Sequence, residues 1–470
     1  MSATATTEKK YLKWYQKLAY GSGDLASNCS YGLVSSFVLL YLTGTLGLDS
    51  AIIGSLMLAS KVLDGISDVI FGTLIDRTHS KLGKARPWML FGQVGVSLCL
   101  FLLFAIPAGS TTMQYIYFFI VYTALNAVFY TANGIAYSSL VALITKNNNE
   151  RVQLGSFRFM FAVVTNIFMG FAVTGMVEKF GSGAAGWRTT ALIFAIVGLV
   201  VNTISCLAVK ELPEEELSGN TSEAAEEGKA VAEEKKHGFA ETAKILVHNK
   251  YYLMILAIYI VYYIMSNLTT GAGVFCATYY WGDGSLLGQF SMMKMFPVII
   301  ALAIAPVLIK KTGSMQKVNF WGYAISSVLG IPMIYFAMQK NISMFLLFMF
   351  IKGVFAGTLS GSLNALIAEA SGYTTRTTGV HMDGMMYSCS SLGVKVGGGI
   401  GTAAVGWLLK LGGFVGTATV QSESAIRMIF NLYITFPFVI GIIITVLLAF
   451  LDVEKANKKW DAEHQKEAQA

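Results

Sequence analysis

The chain has 470 residues, of which 54% are hydrophobic and only 13% charged, and its mean hydropathy of +0.59 excludes an ordinary soluble globular domain. Its net charge of +7 does not point to nucleic acid, because the basic residues gather in alternate loops between apolar runs. The five cysteines and five histidines show no metal-ligand spacing and no neighbouring nucleophile, so the composition argues against an enzyme, a metal cofactor or any other prosthetic group.

Apolar runs of about 20 residues, the length that crosses ~30 Å of hydrocarbon, recur twelve times. Residues 1–17 form an N-terminal segment in which Trp14 and Tyr15 suit a membrane interface, and no cleaved leader is expected. The first span covers 18–43. The second, 51–75, is interrupted by Lys61, Asp64 and Asp68, which fall within a wedge of roughly 60° on one helical face. A mid-membrane charge costs roughly 2.5–3.5 kcal/mol on insertion scales, so such a face points to an ion site or pathway. Spans at 87–108, 114–144, 154–178 and 188–209 follow, and together residues 18–210 make a first six-helix bundle.

Residues 211–246, opening Glu-Leu-Pro-Glu-Glu-Glu, read as a polar linker with a surface helix near 223–236. Residues 247–451 make a second six-helix bundle with spans at 251–280, 285–309, 317–338, 343–370, 382–410 and 428–451. The tail, 452–470, reads as solvated. Cys29, Cys99, Cys206, Cys276 and Cys389 all fall within spans as free thiols. Basic residues such as Arg77, Lys81, Lys84, Arg86, Lys310 and Arg376 concentrate in one set of loops, which puts linker, tail and both termini in the cytoplasm. The predicted fold is therefore an all-α membrane protein of 6+6 helices, with a trace of internal symmetry. The basic, glycine-bearing loops around Gly83 and Gly313 occupy corresponding places in the two halves.

After span two comes Gly72-Thr-Leu-Ile-Asp76-Arg77-Thr, then Gly83-Lys84 and Arg86-Pro87-Trp88. This run resembles the loop motif of the major facilitator superfamily. With Asp64-x-x-x-Asp68, Tyr20-Gly-Ser-Gly-Asp24-Leu-Ala-Ser-Asn28, Phe157-Arg158, Glu369-Ala-Ser-Gly and Gly393-Val-Lys395, the chain resembles the glycoside-pentoside-hexuronide:cation symporters, the family of melibiose and glucuronide permeases. The resemblance implies a cation site at Asp64, Asp68, Ser67 and Thr131. Two carboxylates and two hydroxyls supply only oxygen ligands, as Na+ or Li+ requires, and either acid can instead take H+ as the coupling ion.

The resemblance also implies a sugar site at Asn28, Tyr130, Arg158, Ser391 and Lys395. The family's galactoside-holding acids are replaced here by Asn28 and by Gly134, with Asn133 beside the latter as a further substrate-site candidate. Loss of both acids beside Arg158 and Lys395 leaves the site more positive and suggests uronides or other anionic glycosides. Lys61, Asp76, Arg77, Glu369 and Arg376 are expected to balance charge or link helix ends, Glu369 with Arg376 or the Arg77 loop. Gly399-Ile-Gly401-Thr-Ala-Ala404 matches a dinucleotide-binding pattern, but its apolar span points to close helix contact instead.

The expected activity is cation-coupled symport of a sugar, glycoside or hexuronide across the cell membrane by alternating access. The expected partners are the small-molecule substrate, a monovalent cation and the bilayer, with no nucleic acid and with a single copy sufficing. A carrier of lysolipids or other amphipaths on the same fold, and a non-transporting sugar sensor, are the alternatives.

Overall fold

The computed structural model describes residues 9–213, 245–379, 383–418 and 420–467; the expected helix at 223–236 lies outside them. Among the described residues the secondary structure is helical without strands. This suits a bilayer, where every backbone donor must be satisfied within its own segment. The first half comprises α1 (Trp14–Thr45), α2 (Ser50–Asp76), α3 (Arg86–Leu103), α4 (Thr111–Ile144), α5 (Asn148–Lys179) and α6 (Gly183–Leu207). The second comprises α7 (Lys250–Tyr280), α8 (Leu286–Thr312), α9 (Met315–Met338), α10 (Ile342–Thr378), α11 (Asp383–Leu411) and α12, which runs from Glu423 to Phe450. All but α2 are apolar enough along their length to span a membrane. At 27 residues α2 is long enough, but Lys61, Asp64 and Asp68 break its apolar run.

Several helices begin before their apolar runs because a polar side chain closes the first turn. Ser110, Asn147, Asn249, Ser314, Asn341 and Ser422 each accept a main-chain N–H from two or three residues onward. Apolar side chains such as Val69, Phe91, Val200, Val328 and Phe450 stand exposed, as helix faces turned to lipid do.

The chain forms two compact units. One contains α1, α3–α6 and α2 from Ala59 onward; the other contains α7–α12 with the segment Asp49–Leu58 at the head of α2. That segment, assigned from sequence to the first bundle, clusters with the second unit through small residues. A side chain on Gly54 would meet the Ala403 carbonyl, Ser50 donates to the Gly406 carbonyl at 2.9 Å, and Asp49 pairs with Lys410 at 2.6 Å. Partial burial disfavours the Asp49 carboxylate, but the Lys410 ammonium and the Ala51 and Ile52 amides outweigh it and hold the carboxyl below its usual range.

Within the second unit, α7 packs along α11 over a ridge of glycines four residues apart. A Cβ on Gly393, Gly397 or Gly401 would come within 2.3–2.6 Å of Tyr259, the Ile260 carbonyl or the Ile264 carbonyl. The dinucleotide-like pattern is therefore a helix-packing surface.

The two glycine-bearing loops share a capping device. Gly83, with φ +106°, turns the chain into α3, whose first amides, Lys84, Ala85 and Arg86, donate to the Glu211 carboxylate at 2.7, 2.9 and 3.1 Å. Gly313, with φ +64°, precedes α9, whose Met315 and Gln316 amides donate to Glu454 at 2.8 and 3.0 Å, with the Ser314 hydroxyl adding a third bond. Each carboxylate comes from just beyond the sixth helix of its own half and meets the positive end of that half's third helix.

The tail is not simply solvated. Residues Val453–Glu467 form α13, with Val453 and Asn457 buried. Asn457 donates to Glu369 at 2.9 Å, Arg376 pairs with Asp461 at 3.4 Å, and Lys458 donates to the Gly313 carbonyl at 3.0 Å. Polar residues every three to four positions read as solvated in sequence, yet here they dock the helix by its polar side.

Replacing Glu211 by Ala opens three amides at the head of α3, and Glu454→Ala does the same for α9. Each variant is expected to lose about 1–2 kcal/mol of stability, read as a lowered Tm of the detergent-solubilised protein. Two unchanged Tm values would show that water replaces these caps without loss.

Candidate functional site: paired charges on α1, α2 and α5

The charged face of α2 meets α4 at a local irregularity. Residues Ala124–Tyr130 of α4 form a wide π turn, which delays the next regular helical bond and leaves the Asn126 carbonyl facing the Thr131 side chain, 2.9 Å away. The same Thr131 hydroxyl lies 2.6 Å from Asp64 Oδ1. It has one proton for two acceptors.

Lys61 occupies the other side of Asp64, its Nζ 3.6 Å from Oδ2. Both side chains are largely buried, so each compensates a charge the other could not leave bare. Asp68 lies one helical turn onward, half-buried. Ser67 turns its hydroxyl to the Asp64 main-chain carbonyl at 2.9 Å. Asp64, Thr131 and Lys61 are thus brought together, whereas the Ser67 hydroxyl is engaged with its own helix.

Beside this lies a second charged group. Arg158 of α5 donates through Nε to Asp24 Oδ2 of α1 at 2.6 Å, and its guanidinium sits 4.1 Å from the centre of the Tyr137 ring. Tyr137 is itself fixed by exchange with α1: its hydroxyl donates to the Tyr20 carbonyl at 2.7 Å, and the Tyr20 hydroxyl donates to the Tyr137 carbonyl. Asn28 donates to the Asp24 carbonyl at 2.7 Å and accepts from Asn166 at 2.9 Å. One turn on, Tyr31 stacks with Tyr130 at 5.8 Å between centroids. Asn28, Tyr130 and Arg158 therefore gather on facing helices of one unit, joined by Asp24, Tyr31, Tyr137 and Asn166.

Two expectations change. Arg158 does not add a net positive charge, because Asp24 neutralises it. Asn133 does not reach this group: it is 2% exposed and donates to the Met89 carbonyl at 2.7 Å, tying α4 to α3. Tyr130 and Asn133 are three residues apart, but the π turn and the helical rotation send their side chains to different neighbours.

Ser391 and Lys395 belong to the second unit, on α11, with Ser391 exposed and Lys395 half-buried. Asp76 and Arg77 are exposed at the end of α2 and form no ion pair among the described residues. Glu369 and Arg376 do link helix ends, but their partners are Asn457 and Asp461 of α13 rather than each other or the Arg77 loop. All five cysteines are free and buried, and no cluster of three or more His, Cys, Asp or Glu forms a metal-ligand set among the described residues.

Helices of this length and apolarity, with ion pairs held inside those of the first unit, define a multi-span membrane protein. Residues 19–455 match the model of the MFS/sugar transport protein family, and the chain belongs to that family. It is 26% identical to an isoprimeverose transporter of Lactiplantibacillus pentosus, over 98% of this chain and 93% of the relative. It is 25% identical to the inner membrane symporter YicJ of Escherichia coli (strain K12), over 90% and 88%. Among solved structures, a D-xylose-proton symporter superposes with a TM-score of 0.65 at 12% identity, covering 94% of this chain and 98% of the other. At that identity the likeness concerns the fold alone.

Removing the hydroxyl by Thr131→Val takes one oxygen from the Asp64 group while keeping the side-chain shape. The cation concentration for half-maximal uptake is expected to rise about tenfold, with Thr131→Ser near wild type. Equal cation dependence in all three proteins would remove Thr131 from the ion site.

Proposed function

We propose that the chain is a secondary active transporter that carries a sugar or glycoside together with a monovalent cation across the cell membrane by alternating access, with both termini on the cytoplasmic side. The cation binds at Asp64, Asp68 and Thr131, with Lys61 taking its place electrostatically when the ion is absent. The sugar is held in the first unit by Asn28 and Tyr130 beside the Asp24–Arg158 pair.

The observation that carries this reading is the adjacency of Tyr130 and Thr131. One residue stacks in the aromatic and polar group suited to a sugar ring; the next touches the carboxylate suited to an ion. Any shift of that turn is felt by both. Coupling follows by linkage: if the ion raises the affinity for sugar by some factor, sugar raises the affinity for the ion by the same factor. Oxygen ligands alone admit Na+, Li+ or H+. The basic loops around Lys81, Lys84, Lys310 and Lys311 support the cytoplasmic orientation.

In proteoliposomes, wild-type protein is expected to accumulate a radiolabelled glycoside under an imposed Na+ or H+ gradient. Asp68→Asn should abolish accumulation while retaining sugar binding and gradient-free exchange. Accumulation at wild-type level in Asp68→Asn would overturn the assignment of the ion site; absence of sugar exchange by the wild type, across a panel of pentosides, hexosides and uronides, would overturn the transport reading itself.

A further inference from the structure

The second unit holds a partly open pocket of its own, about 190 Å3, walled by α7, α8, α9, α10 and α12. Two lysines line it, Lys294 of α8 and Lys352 of α10, and no Asp or Glu is among its lining residues. Lys294 donates only to hydroxyls, those of Thr270 at 3.0 Å and Thr269 at 3.4 Å. Lys352 makes no hydrogen bond or ion pair among the described residues. The ion pairs Lys250–Asp452, Arg376–Asp461, Lys410–Asp49 and Lys459–Glu463 lie at helix ends or on α13, away from this cavity.

This is the opposite of the first unit, where Arg158 and Lys61 each hold a carboxylate. An uncompensated ion inside apolar helices costs several kcal/mol, and two ammoniums on one cavity repel each other. An anion in the cavity removes both penalties. The rest of the wall indicates what kind of anion. Tyr262 and Ser360, 2.9 Å apart, offer donor and acceptor hydroxyls, while Phe345 and Phe438 supply apolar faces. Hydroxyls and rings together suit a polyhydroxylated carbon skeleton, and the volume falls below the ~300 Å3 at which drug-sized pockets begin. A single sugar-sized unit is the scale that matches.

We infer that this cavity binds a small polyhydroxylated organic acid, a sugar acid, through its carboxylate at Lys294 and Lys352. The inference rests on the chain being a sugar carrier, and it places acid recognition in the second unit, away from the neutralised Arg158.

The test uses the full chain in nanodiscs, titrated calorimetrically with glucuronate, gluconate, glucose and inorganic sulfate. Wild type is expected to bind at least one of the two acids more tightly than glucose, and Lys352→Met and Lys294→Met to weaken that binding at least about tenfold. Lys352→Met should also raise the Tm of the ligand-free protein, since it removes an unpaired interior charge, and the acid should raise the Tm of wild type but not of the variant. Acid binding no tighter than glucose, or unchanged in both variants, overturns the inference; so does sulfate binding that needs the lysines while neither acid binds. If the variants fail to fold, comparison of acids with glucose on wild type decides alone. Cation-driven uptake of a neutral glycoside is read in parallel. Uptake without lysine-dependent acid binding sinks this inference alone, and lysine-dependent acid binding in a protein that moves no glycoside sinks the transport reading alone.

Discussion

A charge set inside apolar helices has to find its counter-charge within the bundle, because lipid supplies none. That requirement organises the first unit. Asp64 is held between Lys61 and the Thr131 hydroxyl, and Asp24 is bound to Arg158 across α1 and α5. The Thr131 hydroxyl ties α4 to α2 through Asp64, and the Asp24–Arg158 pair ties α1 to α5. The reciprocal bonds between Tyr20 and Tyr137 then hold the ring on which the guanidinium rests. The second unit obeys the requirement at its helix ends and departs from it at one cavity.

The π turn of α4 gives these pairs a mechanical connection. A regular helix would direct Tyr130 and Thr131 about 100° apart with every carbonyl engaged. In the widened turn the Asn126 carbonyl accepts from both the main-chain N–H and the hydroxyl of Thr131, and that hydroxyl answers to two acceptors. A hydroxyl with one proton and two claims on it is a local two-state element. In the proposed carrier its choice would follow what occupies Asp64, and its neighbour in the chain, Tyr130, stacks on Tyr31 of α1.

Much of this was legible in the sequence, for reasons that differ by residue. Lys61, Asp64 and Asp68 announce themselves because charges in an apolar run have few uses, and their common face follows from helical geometry alone. Arg158 bears the same mark within its span, although its role came from the resemblance; Thr131 carries no such mark and came from the resemblance alone. The role of Asp24 was missed although its motif was quoted, because an acid near the start of a span reads as an end charge until the helix that faces it is known. Asn133 was misjudged by its nearness to Gly134 in the chain, when rotation about α4 sends it to Met89. Lys294 and Lys352 were within predicted spans and could have been singled out by the same reasoning that found Asp64; as isolated residues without a motif they did not draw attention. The docking of α13 was hidden because most of its contacts beyond Val453 and Ala456 are polar, and a polar face looks the same in sequence whether it meets water or another helix.

Glu211 and Glu454 bear on how such a chain can be divided. Each closes the third helix of its half from just past the sixth, and the Leu212 amide, donating to the Leu143 carbonyl at 2.8 Å, fastens the same stretch to α4. A fragment cut where the hydrophobicity of α6 ends would therefore be shorn of its own seal, although no transmembrane residue had been lost. Any attempt to express the halves as separate polypeptides should place the break beyond that acid, however polar and dispensable the stretch appears.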